Sequence, residues 1–193
     1  MSIFFTADTH FGHNNIIKYC NRPFKNSDEM DEVLIFNWNN IVNHSDTVYH
    51  LGDFALRNPN EYIKKLKGNV ILIPGNHDKH ETITLFKHVY HLTTIKIENK
   101  FITLCHFALR VWNKSHFNAW HLYGHSHGTL ESIGKSHDVG VDNCNYAPVS
   151  FEKIKEIMET KPDNFNWLER FKEFDVNEFN EVKKLVDAGV EVD

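Results

Sequence analysis

The sequence predicts an α/β fold, on two observations. Apolar, β-branched or aromatic runs of strand length alternate with helical patterns through the first half of the chain. Five of those runs deliver Asp, Asn or His just past their C-terminal ends. Ligands of α/β sheets bind just outside the carboxyl ends of the strands, so the second observation also marks where a site should lie.

The elements follow in order. The run Ile3–Thr6 reads as a strand and leads into Asp8 and His10. Between Asn26 and Val42 a helix opens on Asp28, Glu29, Asp31 and Glu32, which suit a helix N-terminus. Its apolar stripe is Met30, Val33, Leu34, Trp38 and Ile41. Thr47–Leu51 is a strand ending in Gly52-Asp53. Asn58-Pro59 supplies an N-cap and a first-turn proline for a helix that Gly68 should end. Val70–Ile73 is a strand ending in Pro74-Gly75-Asn76-His77-Asp78. His91–Ile97 and Phe101–Leu104 form a predicted hairpin around Glu98-Asn99-Lys100, and the second arm reaches His106. Trp120–Tyr123 is a strand ending in Gly124-His125-Ser126-His127. From about residue 150 the pattern turns helical, first over Ser150 to Thr160. Phe165, Leu168, Phe171 and Phe174 follow at helical spacing as a packing stripe. Asp175-Val176-Asn177-Glu178 resembles a capping box before a last helix that stops near Gly189.

Bulk composition narrows the function classes. The length of 193 residues suits one domain spanning 1–193. A net charge of −5 gives no overall basic excess, so long nucleic acid and anionic membrane are not expected partners. No apolar stretch is long enough for a membrane span, and "MSIFFTADTH" lacks the basic start of a secretory signal. Three cysteines, far apart and in no C-x-x-C pair, argue against a disulfide framework and fit a reducing cytoplasm.

The strand-end residues carry the chemistry. In extended chain, residues two apart face the same way. Asp8 and His10 are therefore expected to reach one site, and His125 and His127 likewise. The set mixes carboxylate, amide oxygen and imidazole without thiolate, which suits manganese, iron, cobalt, nickel or zinc. Seven such groups exceed the need of one ion, and Asp53, standing between the others in sequence, is a candidate bridge.

The ordered set "DTH", "GD", "GNHD", "CH" and "GHSH", over residues 8–127, resembles the calcineurin-like metallophosphoesterase superfamily. The resemblance implies two mixed β-sheets packed as a sandwich and flanked by helices. It also implies two divalent transition-metal ions, with manganese favoured. Asp8, His10 and His127 would hold the first; Asn76, His106 and His125 the second; Asp53 would bridge them. His77 would contact the scissile phosphate and protonate the leaving oxygen. Asp78 either orients His77 or has a surface or capping role.

The chain departs from the protein-phosphatase branch, which carries an extended G-D-x-x-D-R-G motif and Glu after G-N-H. Here "GDFALR" and "GNHD" stand instead, which looks more like small single-domain bacterial or phage-type phosphoesterases. The expected reaction is hydrolysis of a small, possibly nucleotide-type, phosphodiester. A phosphomonoesterase and a catalytically silent metal-binding scaffold are the alternatives. Candidate substrate contacts are His13, Asn14, Arg57 and His116, with Asn14 equally a helix N-cap. His50 reads as a core histidine and Trp112 as an ordinary packed tryptophan.

Overall fold

A computed structural model of the protein describes residues 1–167. Its elements are β1 (Ile3–Thr6), α1 (Asn14–Tyr19), α2 (Ser27–Ile41), β2 (Thr47–His50), α3 (Pro59–Ile63), β3 (Asn69–Leu72), α4 (His80–Ile83), β4 (His88–Val89), β5 (Leu92–Ile97), β6 (Lys100–Cys105), β7 (Trp120–Tyr123), β8 (Ser136–Asp138), β9 (Val149–Ser150) and α5 (Phe151–Thr160). One sheet has the order β4-β3-β2-β1-β9 and the other β5-β6-β7-β8. Both are mixed. β1 to β4 run parallel with β9 antiparallel to β1, and β6 to β8 run parallel with β5 antiparallel to β6.

Strand alternation decides what each face of the first sheet meets. Phe4, Val48 and Leu72 pack with Met30, Leu34 and Trp38 of α2 on one side. Their chain neighbours Phe5 and Ile73 pack on the other side with Ile102, Leu104, Trp120 and Leu122 of the second sheet, joined by Ile154 and Met158 of α5. The first sheet is thus covered on one face by helices and on the other by the second sheet, the expected sandwich.

Local details refine several expectations. Asn26 caps α2 by accepting from the Glu29 N–H at 2.9 Å. Of the predicted stripe, Met30, Leu34 and Trp38 are buried, whereas Ile41 is exposed. α3 stops at Ile63, well before Gly68, and Asn58 precedes it in a left-handed conformation without a side-chain cap. Gly68 (φ +95°) instead turns the chain into β3. The hairpin turn is Glu98-Asn99, because Lys100 already pairs with Ile97. β4, β8 and β9 were not expected from the sequence; at two or three residues each they are too short to show a pattern. The stripe beyond Phe165 and the predicted helix from Asp175 lie outside the described residues, and Phe165 itself is partly exposed. No helix among the described residues is long and apolar enough to cross a membrane.

Two buried histidines are structural. His50 meets the Thr9 hydroxyl at 2.9 Å. Thr9 Oγ1 donates to the Phe54 carbonyl at 2.7 Å, so His50 Nε2–H is the donor of that pair. His121 accepts the Leu109 N–H at 3.0 Å and donates from Nδ1 to the Thr103 carbonyl. Burial lowers the His121 pKa to about 4, against hydrogen bonds that raise it. The unfolded chain therefore takes up a proton below about 6.5 that the folded chain refuses, so this stability is complete above 6.5 and is lost as pH falls toward 4. The stability gap between the wild type and His121→Gln is expected to shrink by on the order of 3 kcal/mol between pH 6.5 and 4. Urea unfolding of the two chains in chelator checks this, and a constant gap contradicts it.

Candidate metal centre

The strand ends align because the strands are in register. Thr6 pairs with His50 and His50 with Leu72, while Leu104 pairs with Leu122. Backbone bonds carry the alignment past the strands, from Asp8 N–H to Gly52 O at 2.9 Å and from Gly124 N–H to His106 O at 3.0 Å. Asp78 ties the rim further. Its carboxylate accepts the N–H groups of Asp53, Phe54 and Gly75 at 2.8, 2.9 and 2.9 Å. It is a clamp on three backbone positions, and none of those bonds reaches the His77 ring.

Two groups made wholly of expected ligands converge on this rim, and a third, Cys20, His127 and Asp142, shares His127 with the first. Donor atoms of Asp8, His10 and His127 lie within 4.8 Å of one another, and so do those of Asp53, His106 and His125. Asp53 Oδ2 stands between the groups, 3.6 Å from His10 Nε2 and 3.5 Å from His106 Nε2. Asn76 Oδ1 joins the second group, 3.2 Å from His106 Nε2. All seven expected ligand residues are therefore brought together.

The backbone reason differs from the expected one. Asp8, His10, Asp53, His125 and His127 all have positive φ, between +46° and +66°. Such conformations are costly for residues with side chains and collect at functional sites. His125 and His127 do not share a face. The His125 ring lies 5.1 Å from His106, and the His127 ring lies 5.3 Å from His10, so the G-H-S-H stretch serves both groups. Close approach also explains two glycines. A Cβ at Gly52 (φ +93°) would come within 2.6 Å of His106 Nδ1, and one at Gly75 would collide with Asp53 Oδ1.

The donor chemistry fits divalent cations. Asp8 Oδ1 and His10 Nε2 are buried with no hydrogen-bond partner among the described residues, an arrangement that costs stability unless something fills it. Burial, then repulsion from Asp53, holds the Asp8 carboxyl well above the usual range. Burial, then His127, pushes His10 down to about 2, which leaves its ring a neutral ligand. Outer partners fix the other rings. His106 Nδ1–H donates to the Leu51 carbonyl at 2.6 Å and His127 Nδ1–H to Asp142 Oδ2 at 2.7 Å. Each Nε2 is thereby left free to ligate, the usual arrangement behind a metal-bound imidazole.

Asp142 and Arg22 escaped the sequence reading. The buried Arg22 guanidinium makes two 2.8 Å bonds to Asp142 and a 2.7 Å bond to the Asp8 carbonyl, so it braces both Asp8 and His127. Burial raises Asp142, but bonds from His127 and Arg22 outweigh it and hold its carboxyl below the ordinary range. Gly140 and Asp142 do follow a strand end, as at the other motifs. β8 is only three residues long, however, and its "SHD" carries no apolar run. Arg22 had no signal at all.

The remaining candidates separate. His77 donates its N–H to Asp53 Oδ1 at 2.9 Å, and its exposed ring lies 5.6 Å from that of His10. His13 lines the same cleft, Nδ1 3.5 Å from His10 Nδ1. Asn14 does not; it is the first residue of α1, and its side chain accepts the Ser27 N–H. Exposed Arg57 is outside the cleft lining and reaches His13 only through its charge. His116 lies on a short 3-10 helix against Phe117, away from the cleft. Trp112 is buried and donates to the Ala119 carbonyl, an ordinary packed residue as expected.

The family described as calcineurin-like phosphoesterase matches residues 1–187. The uncharacterized protein MJ1445 of Methanocaldococcus jannaschii is 37% identical over 171 residues, which cover 81% of this chain and 91% of that protein. Among solved structures, the protein of unknown function AQ665 from Aquifex aeolicus is 28% identical with a TM-score of 0.66, covering 81% of this chain and 98% of that one.

Proposed function

This chain belongs to the calcineurin-like phosphoesterase family, and on that premise we propose that it is a binuclear-metal phosphodiesterase acting on small phosphodiesters. The observation that carries the reading is the place of Asp53 Oδ2, about equally far from an imidazole of each donor group. Asp8, His10 and His127 would hold one ion, Asn76, His106 and His125 the other, and Asp53 would serve both. Manganese is among the ions that suit this mixed set of carboxylate, amide oxygen and imidazole without thiolate. Such ions supply positive charge to the phosphoryl oxygens and a water acidic enough to attack phosphorus near neutral pH.

The protein's own groups do the rest. Asp142 and the Leu51 carbonyl keep His127 and His106 in the ligating tautomer. Asp53 Oδ1 anchors the backbone of His77, whose ring at the mouth donates a proton to the departing oxygen. Diesters are favoured over monoesters because, among the described residues, no lysine or arginine lines the cleft to take a second negative charge.

Assays with added manganese test this. Hydrolysis of bis(4-nitrophenyl) phosphate is expected to exceed that of 4-nitrophenyl phosphate by about tenfold or more, equal to 1.4 kcal/mol of transition-state preference, and to vanish in EDTA. Faster monoester turnover makes the protein a phosphomonoesterase. No metal-dependent turnover of either ester overturns the reading.

A further inference from the structure

The cleft of about 800 Å³ beside the donor groups has two unlike parts. One is made of the imidazoles and Asp53. The other is contributed by α1 and the loop after Gly124, including Ile16, Tyr19, Thr129 and Leu130. α1 buries Ile16 and Ile17, and its last residue, Tyr19, is left 74% exposed. Leu130 is 50% exposed. Both Tyr19 and Leu130 belong to the lining of the cleft, so their exposed apolar surface is available to a molecule bound there.

The rings are also ordered. The His13 ring lies 5.4 Å from that of the metal-binding candidate His10 and 6.4 Å, edge to face, from that of Tyr19. A substituent on a phosphorus held at the donor groups that extends along this wall passes His13 and arrives at the open tyrosine ring. A second anionic group placed there finds no lysine or arginine in the lining among the described residues. A neutral flat group finds an aromatic surface, a contact that tolerates many ring chemistries.

We infer that the cleft selects phosphodiesters bearing a planar aromatic group, which stacks on Tyr19. The inference rests on the phosphoesterase reading above and names the substrate class of that site. Tyr19 is then a specificity-determining residue, supplied by the short helix that follows the first ligand loop.

Calorimetric binding of hydrolysis-resistant phosphonate monoesters to the manganese-loaded protein tests it without turnover. Ethyl phenylphosphonate is expected to bind about tenfold more tightly than ethyl methylphosphonate. Tyr19→Ala should erase that difference and Tyr19→Phe should keep it. Equal affinities in the wild type, no binding of either, a preference that survives Tyr19→Ala, or ethyl cyclohexylphosphonate binding as tightly as the phenyl compound each overturn the inference. Turnover without an aryl preference sinks this inference and leaves the phosphoesterase reading intact. An aryl preference that depends on Tyr19, in a protein that hydrolyses no phosphoester, upholds the inference and sinks the phosphoesterase reading.

Discussion

Asp53→Asn is expected to lower kcat/KM on a phosphodiester by at least about a hundredfold, more than the loss usual for a residue that only supports a ligand. Bound manganese should fall with it. The side chain is buried, and its Oδ2 lies 3.6 and 3.5 Å from imidazoles of the two donor groups, so one substitution removes negative charge from both. It also removes the charge that repels Asp8, whose carboxyl then has less reason to stay protonated. The amide is nearly the same size, so packing against Gly75 is preserved and the change reads out electrostatics rather than unfolding. Kinetics with saturating manganese, metal analysis after dialysis and a thermal melt separate these effects. Full activity with full metal content would mean that Asp53 bridges nothing.

His77→Ala is expected to give the opposite signature, a fall in kcat of about a hundredfold to ten-thousandfold with metal content unchanged. The ring belongs to neither donor group; it is exposed at the mouth, 5.6 Å from His10, and only the backbone N–H is bonded to Asp53. Alanine keeps that N–H. The loss should also depend on the leaving group. 4-Nitrophenolate departs without much help, whereas an alkoxide needs the proton, so the loss should be larger for an alkyl leaving group. Equal losses for both, or loss of manganese, would remove the assigned role of proton donor.

Much of the fold was legible because apolar runs are local. Ile3–Thr6 and Trp120–Tyr123 are strands to the residue, and the hairpin turn lies within the stretch expected. The seven strand-end donors were legible for the same reason, since each lies within four residues of the end of such a run. What was not legible depends on geometry that a residue string does not carry. Strand alternation does not govern these positions, because Asp8, His10, His125 and His127 all have left-handed backbone; the first two meet at one donor group and the last two divide between both. Asp142 comes after a three-residue strand with no apolar pattern, and Arg22 acts through contacts with residues far along the chain, such as Asp142. Arg57 was attractive for its phosphate-binding fork and His116 for its loop of polar and aromatic residues before a ligand strand, yet Arg57, ahead of α3, and His116, on the short 3-10 helix, are both absent from the cleft lining.

Whether one carboxylate joins two separate ion sites is tested most directly by anomalous diffraction from manganese-loaded crystals of the wild-type protein. Two peaks are expected per chain, one on Asp8, His10 and His127, the other on Asn76, His106 and His125, with Asp53 touching both. A single peak, or two peaks that Asp53 does not share, would contradict that bridging role.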